Sequence, residues 1–346
     1  MLILSFSFCL LCACSSVSYY SQSITGQFEI LQGRKPIPDV IQDQQTPEPI
    51  RQKLMEVENI LQFAGQQLSL PNNGSYQHYV DLQRPYVVWN VFAAPTLSLQ
   101  PVRWCFLFVG CLSYRGYFNK DMAVKFANEL QQQELDVYIG GVAAYSTLGW
   151  FNDPVMNTML AYEPHYLARL IFHELSHQKL YIKDDTEFNE AFADAVALIG
   201  VKRWAQTQHP SALDALNLEL QYEQQFIELV LRYRTKLQSL YTSTLTAPEK
   251  LVQKQKLIDA IRDEYEEMRS QWNGYSAYDA WFAGTINNAK FSALATYRNH
   301  VPDFLEMYSA TGNDLDLFYT VVEQLESCDK AKRYQYLQAH VVSIDC

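Results

Sequence analysis

Two histidines four residues apart, His173 and His177, enclose a glutamate in the run Phe172-His173-Glu174-Leu175-Ser176-His177. Apolar residues around it, Leu167, Leu170, Ile171, Leu175 and Leu180, recur at helical spacing. Four residues turn a helix through about 400°, so the two imidazoles point the same way and can share one metal ion. Glu174 is turned about 100° from His173, which sets its carboxylate beside such an ion, within reach of a proton on a bound water. Metal-assisted hydrolysis needs that division of roles.

A hydrolytic metal centre also needs a third protein ligand and one position left to water. The run Asn189-Glu190-Ala191-Phe192-Ala193-Asp194 puts Glu190 and Asp194 on one helical face, so one carboxylate can bind the metal while the other orients a ligand histidine. Two bland roles compete: a pair of satisfied core histidines, and a closed structural metal site. The closed site is ordinarily four-coordinate and cysteine-rich, whereas two histidines and one carboxylate leave the fourth position open.

His-Glu-x-x-His followed by Asn-Glu-x-x-x-Asp resembles the gluzincin metallopeptidases, of which thermolysin is a familiar member. Carried over by position, the resemblance implies one Zn2+ held by His173, His177 and Glu190, with Glu174 as catalytic base and Asp194 as the partner of His173. It extends to the predicted aminopeptidase lipoproteins of Gram-negative bacteria. Cys14-Ser15-Ser16 with Tyr19-Tyr20-x-Gln22-Ser23 carries it, with Tyr114-Arg115-Gly116-Tyr117-Phe118, Thr147-Leu148-Gly149-Trp150-Phe151-Asn152-Asp153-Pro154 and Asn287-Asn288-Ala289. The implied substrate is a peptide or protein.

A second electrophile ordinarily stabilises the oxyanion of such a reaction, and Tyr145, Tyr297, Arg298 and His300 are candidates, Tyr145 and His300 foremost. Residues 136–151 precede the motif at a distance similar to the substrate-binding edge strand of gluzincins, which implies pairing with an extended peptide. An aminopeptidase also needs an anion for the free amine of its substrate. The familiar Gly-x-Met-Glu-Asn motif is absent, and Asp153 or Glu163 could serve. Two other readings stay open: an envelope quality-control endopeptidase, and a non-catalytic lipoprotein that keeps the metal site as a scaffold.

The elements that must position these residues follow from periodicity. Helices are predicted over 50–68, around 121–133, and as a pair between Pro164 and Trp204, where Asp184 and Glu187 have capping-box spacing. Runs over 86–92, 104–109 and 137–142 read as strands, and 212–241 with 248–272 reads as a long amphipathic hairpin. The expected fold is α+β and predominantly helical, a small sheet beside a zincin-type helix pair with the helical hairpin following. Its expected divisions are a lipoprotein signal over 1–14, a proline-interrupted tether over 15–50 and a metallopeptidase domain over 51–346. That domain divides into a catalytic core, 85–205, and a helical subdomain, 212–346.

The 346 residues, 48% hydrophobic, can build a sizeable core. A net charge of -11 without a basic cluster interleaved with aromatics disfavours nucleic acid as a partner. The opening run MLILSFSFCLLCAC is too short to span a bilayer and reads as an export signal. Leu11-Cys12-Ala13-Cys14 resembles a lipoprotein processing box, which implies lipidation at Cys14 and an outer-membrane anchor facing the periplasm. Disulfides are then permitted among Cys105, Cys111, Cys328 and Cys346; Cys105 with Cys111 and Cys328 with Cys346 are the short-loop pairings.

Overall fold

The sheet beside the motif grows from the strand Val88–Pro95, buried along its length as far as Ala94. Alternation sends Trp89, Val91 and Ala93 to one face and Asn90, Phe92 and Ala94 to the other. Both faces are covered. Trp89, Val91 and Ala93 pack against Ala123, Ala127 and Leu130 of the helix Lys120–Gln131. Phe92 meets Ala289 and Ala293 of the helix Asn288–Arg298 on the opposite side. Arg115–Tyr117 and Leu135–Val142 flank the central strand, both antiparallel, with Asn90 facing Gly116 on one side and Gly140 on the other. Among the described residues Leu135–Val142 pairs with no other strand and is a sheet edge.

This computed structural model describes residues 2–106, 110–144, 146–147 and 151–346, with side chains from residue 18 onward apart from 296–298. The expected helical α+β class is what it shows: fourteen α-helices and sheets of three, three and two strands among the described residues.

The motif helix, Pro164–Lys179, starts with proline in its first turn and buries Leu167, Ala168, Ile171, Phe172 and Leu175. Its partner, Thr186–Gln208, is buried at every position from Phe188 to Ala197. Small residues let the two approach. A Cβ on Gly200 would lie 2.7 Å from Leu68 Cδ1 and 2.8 Å from Phe172 Cδ2.

The long hairpin, Leu213–Thr242 and Ala247–Arg269, has a core of its own, with Tyr222, Phe226 and Val230 against Ile258, Ile261 and Tyr265. The later helices do not stay with it. Phe304 of Val301–Ala310 and Phe318 of Leu315–Gln324 return to the central core, where they meet Phe188 and Phe192. The stretch 212–346, expected as one subdomain, is therefore shared among the hairpin, the back of the sheet and the central core.

Residues 15–50, expected as a proline-interrupted tether, are mostly helical, and from residue 18 on they pack against the domain. The helix Leu2–Gly33 docks through Ile30, through Gln22 Oε1, which accepts from Phe118 N at 2.9 Å, and through Gly26, where a Cβ would lie 2.2 Å from Phe118 Cγ. Ile37 and Val40 also enter the core. The prolines start helices here instead of breaking them: Pro38 and Pro49 lie in the first turns of Ile37–Gln42 and Glu48–Gln67, where a missing N–H costs nothing. The Cys14 side chain lies outside the described residues. No helix among the described residues is long and apolar enough to cross a membrane.

The C-terminal helix Lys330–Gln338 is tied to the start of the second motif helix by Asp185, which is 2% exposed. Asp185 accepts from Arg333 at 2.5 Å and from Lys330 and Tyr334 at 2.9 Å each. Removing the carboxylate strands a buried guanidinium. Asp185→Ala should lower folding stability by about 3–5 kcal/mol, read as a fall in the denaturant midpoint at unchanged slope.

Candidate metal centre

His173, Glu174 and His177 occupy the last turns of the motif helix, and Glu190 and Asp194 face them from its partner. The Nε2 atoms of His173 and His177 are 3.1 Å apart, and Glu190 Oε2 lies 3.3 Å from the first and 3.5 Å from the second. Three vertices of a tetrahedron around a metal with bonds of about 2.0–2.1 Å stand about 3.3–3.4 Å apart, so the donors already form the required triangle. Among the described residues this is the one group of three His, Cys, Asp or Glu side chains placed to hold a metal ion.

The next ring of contacts is asymmetric. Asp194 Oδ1 is 3.3 Å from His173 Nδ1 and 3.8 Å from an Arg169 nitrogen, and Arg169 is gripped by both oxygens of Glu223 at 2.5 and 3.1 Å. A chain of charges thus runs from His173 to the hairpin helix Leu213–Thr242. His177 Nδ1, by contrast, is buried with no hydrogen-bond partner among the described residues. The loop joining the helices is closed by Asn189, whose amide donates to Ile182 O at 2.7 Å and accepts from Ile182 N at 2.8 Å.

Burial alone would lower the pKa of His173, but hydrogen bonds and charge from Asp194 and Glu190 outweigh it and push the group up to about 10. Burial acts on Glu190 in the opposite sense, and His177 and His173 overcome it, bringing the carboxyl down to about 2. Glu174 is raised, first by burial and further by Glu190, against the two imidazoles. A raised carboxylate suits a general base working near neutral pH.

Other expected residues are placed differently. Tyr145 and the side chains of Tyr297 and Arg298 lie outside the described residues. His300 is not brought to the triad: its Nδ1 is 2.8 Å from Asp303, its Nε2 is 3.6 Å from Glu187, and its ring packs on Tyr334. It stands at the N-cap position of the next helix, Val301–Ala310, where Asp303, three residues on, holds its ring. Asp153 is turned inward, accepting from Thr147 N and Oγ1 at 2.8 Å each, with its pKa pushed up to about 6 by burial. Glu163 is exposed at the N-cap of the motif helix.

The capping box at Asp184 does not form. The N-cap is Asp185, while Asp184 has φ 66° and its carboxylate accepts from Cys111 N at 2.7 Å. That hydrogen bond docks the hairpin Trp104–Phe106 and Gly110–Leu112, closed by the disulfide Cys105–Cys111, onto the loop between the motif helices. Cys328 is joined to Cys346.

Four residues near the centre escaped sequence reasoning. Arg169, one turn before His173, and Tyr181, four residues after His177 with ring centroids 6.4 Å apart, were within reach of helical spacing. Glu223 and Tyr76 were not. Tyr76 follows a loop, is fully buried, and has its pKa raised by burial and then by the charges of Glu174 and Asp153.

Fold and site together define a predominantly helical α+β protein with a largely buried donor triad of two histidines and one carboxylate, and a further carboxylate beside it. The chain belongs to the family described as "Putative aminopeptidase", whose model matches residues 18–337. No curated protein and no solved structure matches the chain. Membership of that family suggests peptidase activity.

The charges give a pH signature. His173 is raised from 6.5 to about 10 on folding, so its contribution to stability is full below 6.5 and is lost as pH rises through 10. Glu190 is depressed from 4.5 to about 2, so its contribution is full above 4.5 and is lost as pH falls through 2. Chelator-treated protein should lose stability steadily from pH 7 to 10, while a divalent metal, competing with the His173 proton, should bind more tightly over the same range. A denaturant midpoint that stays flat from pH 7 to 10 would contradict this.

Proposed function

We propose that this chain is a zinc-dependent peptidase of the cell envelope, acting as an aminopeptidase and held by a lipid at Cys14 to the periplasmic face of the outer membrane. The observation that carries the reading is the triangle of His173, His177 and Glu190 donors with Glu174 beside it. The donor set fits zinc: two imidazoles and one carboxylate suit a borderline cation, the spacing suits a tetrahedron, and the fourth vertex is left for water. Bound there, zinc supplies a Lewis acid for the scissile carbonyl and lowers the pKa of a water toward about 7.

The protein's own residues do the rest. Asp194 holds the proton of His173 at Nδ1 and so keeps the Nε2 lone pair turned to the metal. Glu174 takes a proton from the attacking water and returns it to the leaving amine, and its burial beside the triad favours the first of these steps. The edge strand Leu135–Val142 offers backbone groups to an extended peptide. Asn287 donates to Val137 O near its start, at 2.9 Å.

Exopeptidase action rests on the family, and the inward turn of Asp153 favours a second reading, an endopeptidase. Peptides with free and with blocked amino termini separate the two: an aminopeptidase cleaves the free set alone.

Glu174→Gln should keep the metal, by elemental analysis, and lose hydrolysis by about 10²–10⁴-fold; undiminished turnover would remove Glu174 from the mechanism. His177→Ala should lose the metal itself. Chelator-sensitive hydrolysis abolished by Glu174→Gln would exclude a non-catalytic lipoprotein that keeps the metal site as a scaffold, and absence of any hydrolysis would favour it. Metabolic labelling with a fatty acid, abolished in Cys14→Ser, checks the anchor.

A further inference from the structure

A half-open cavity of about 180 Å³ lies against the first turn of the second motif helix, lined by Asp184, Glu187, Arg103, Arg234, Ser292 and Lys330 among others. Two observations put it next to the triad. Glu187 precedes Glu190 by three residues, about 4.5 Å along the helix axis. Asp184 lies in the short loop that leads from the helix bearing His177 to the helix bearing Glu190.

The charges around the cavity are unequally matched. Lys330 is paired with Asp185, and Glu187 accepts from Asn299 at 2.9 Å with His300 3.6 Å away. Arg103 donates to the carbonyl oxygens of Cys111 and Asp184, which are neutral partners. Arg234 stands apart. Among the described residues nothing bonds its guanidinium, and its Nε is buried without a partner. Burial holds its pKa below the ordinary arginine value, against the charge of Glu187. A partly buried cation with its Nε shielded and unbonded, facing free space, gains most when an anion meets it.

We infer that this cavity seats a substrate carboxylate, and that Arg234 reads the free C-terminus of a short peptide whose scissile bond lies at the triad. The inference rests on the peptidase reading above. A planar guanidinium matches a carboxylate through two parallel hydrogen bonds. Asp184 and Glu187 nearby repel a doubly charged phosphate more than a singly charged carboxylate, so the peptide end is the favoured occupant.

The test measures binding, so it does not depend on turnover. Zinc-loaded Glu174→Gln protein is titrated calorimetrically with trialanine, with trialanine amide and with inorganic phosphate. The acid should bind at least about 10-fold more tightly than the amide, and phosphate should bind more weakly than the acid. Adding Arg234→Gln should erase the difference by weakening the acid alone, while Arg234→Lys should keep part of it. Equal binding of acid and amide, an acid preference that survives Arg234→Gln, or phosphate bound as tightly as the acid would overturn the inference. Wild-type hydrolysis of both peptides without acid preference leaves the peptidase reading standing and sinks this one. Acid-selective, Arg234-dependent binding without any hydrolysis does the reverse.

Discussion

The centre depends on the desolvation of carboxylates in the seam between two buried helices. Glu174, Glu190 and Asp194 are each 9% exposed or less, and an ionised carboxylate removed from water persists only where a cation or several donors meet it. Glu190 and Asp194 share His173, whose imidazole can answer their charge by taking a proton, as a metal ion bound at the triad would. A proton and a metal ion would therefore compete for one place. The raised His173 pKa and the metal triangle are two expressions of one electrostatic demand.

Helix packing sets how sharply that demand is felt. Thr186–Gln208 can run through the middle of the protein because Ala191, Ala193, Ala195 and Ala197 take little room and Gly200 lets Phe172 approach. A bulkier helix would hold the donors further apart, and donor separations much beyond 3.5 Å no longer close a tetrahedron around one small cation. The charge chain from His173 through Asp194 and Arg169 to Glu223 extends the same constraint to the long hairpin. A change in that hairpin can therefore reach the metal position without touching a ligand.

Much of this was legible in the sequence, for reasons of period. His173 with His177 and Glu190 with Asp194 are each one helical turn apart, so the helix that buries their neighbours also aligns their side chains. The sheet strand 88–95 and the two hairpin helices were legible from the same kind of pattern. What periodicity could not show was contact across long separations. Glu223 meets Arg169, Lys330 and Arg333 meet Asp185, and Tyr76 comes to lie near Glu174 only after folding. The prolines of 36–49 were misread for a related reason: proline that breaks a helix interior is tolerated in a first turn, and only the fold says which position it occupies.

The short connection between His177 and Glu190 shows how such contacts replace length. Asn189 closes the loop on Ile182 from within, Asp184 binds the backbone of the disulfide hairpin, and Asp185 is held by three side chains of the C-terminal helix. Each contact comes from a different part of the chain, and each restrains a residue within six positions of Glu190. The left-handed conformation of Asp184 is tolerated because its carboxylate gains the Cys111 N–H there, a bond a helix N-cap would forgo. A loop held from three sides places the third ligand with little freedom left to lose when a metal ion arrives.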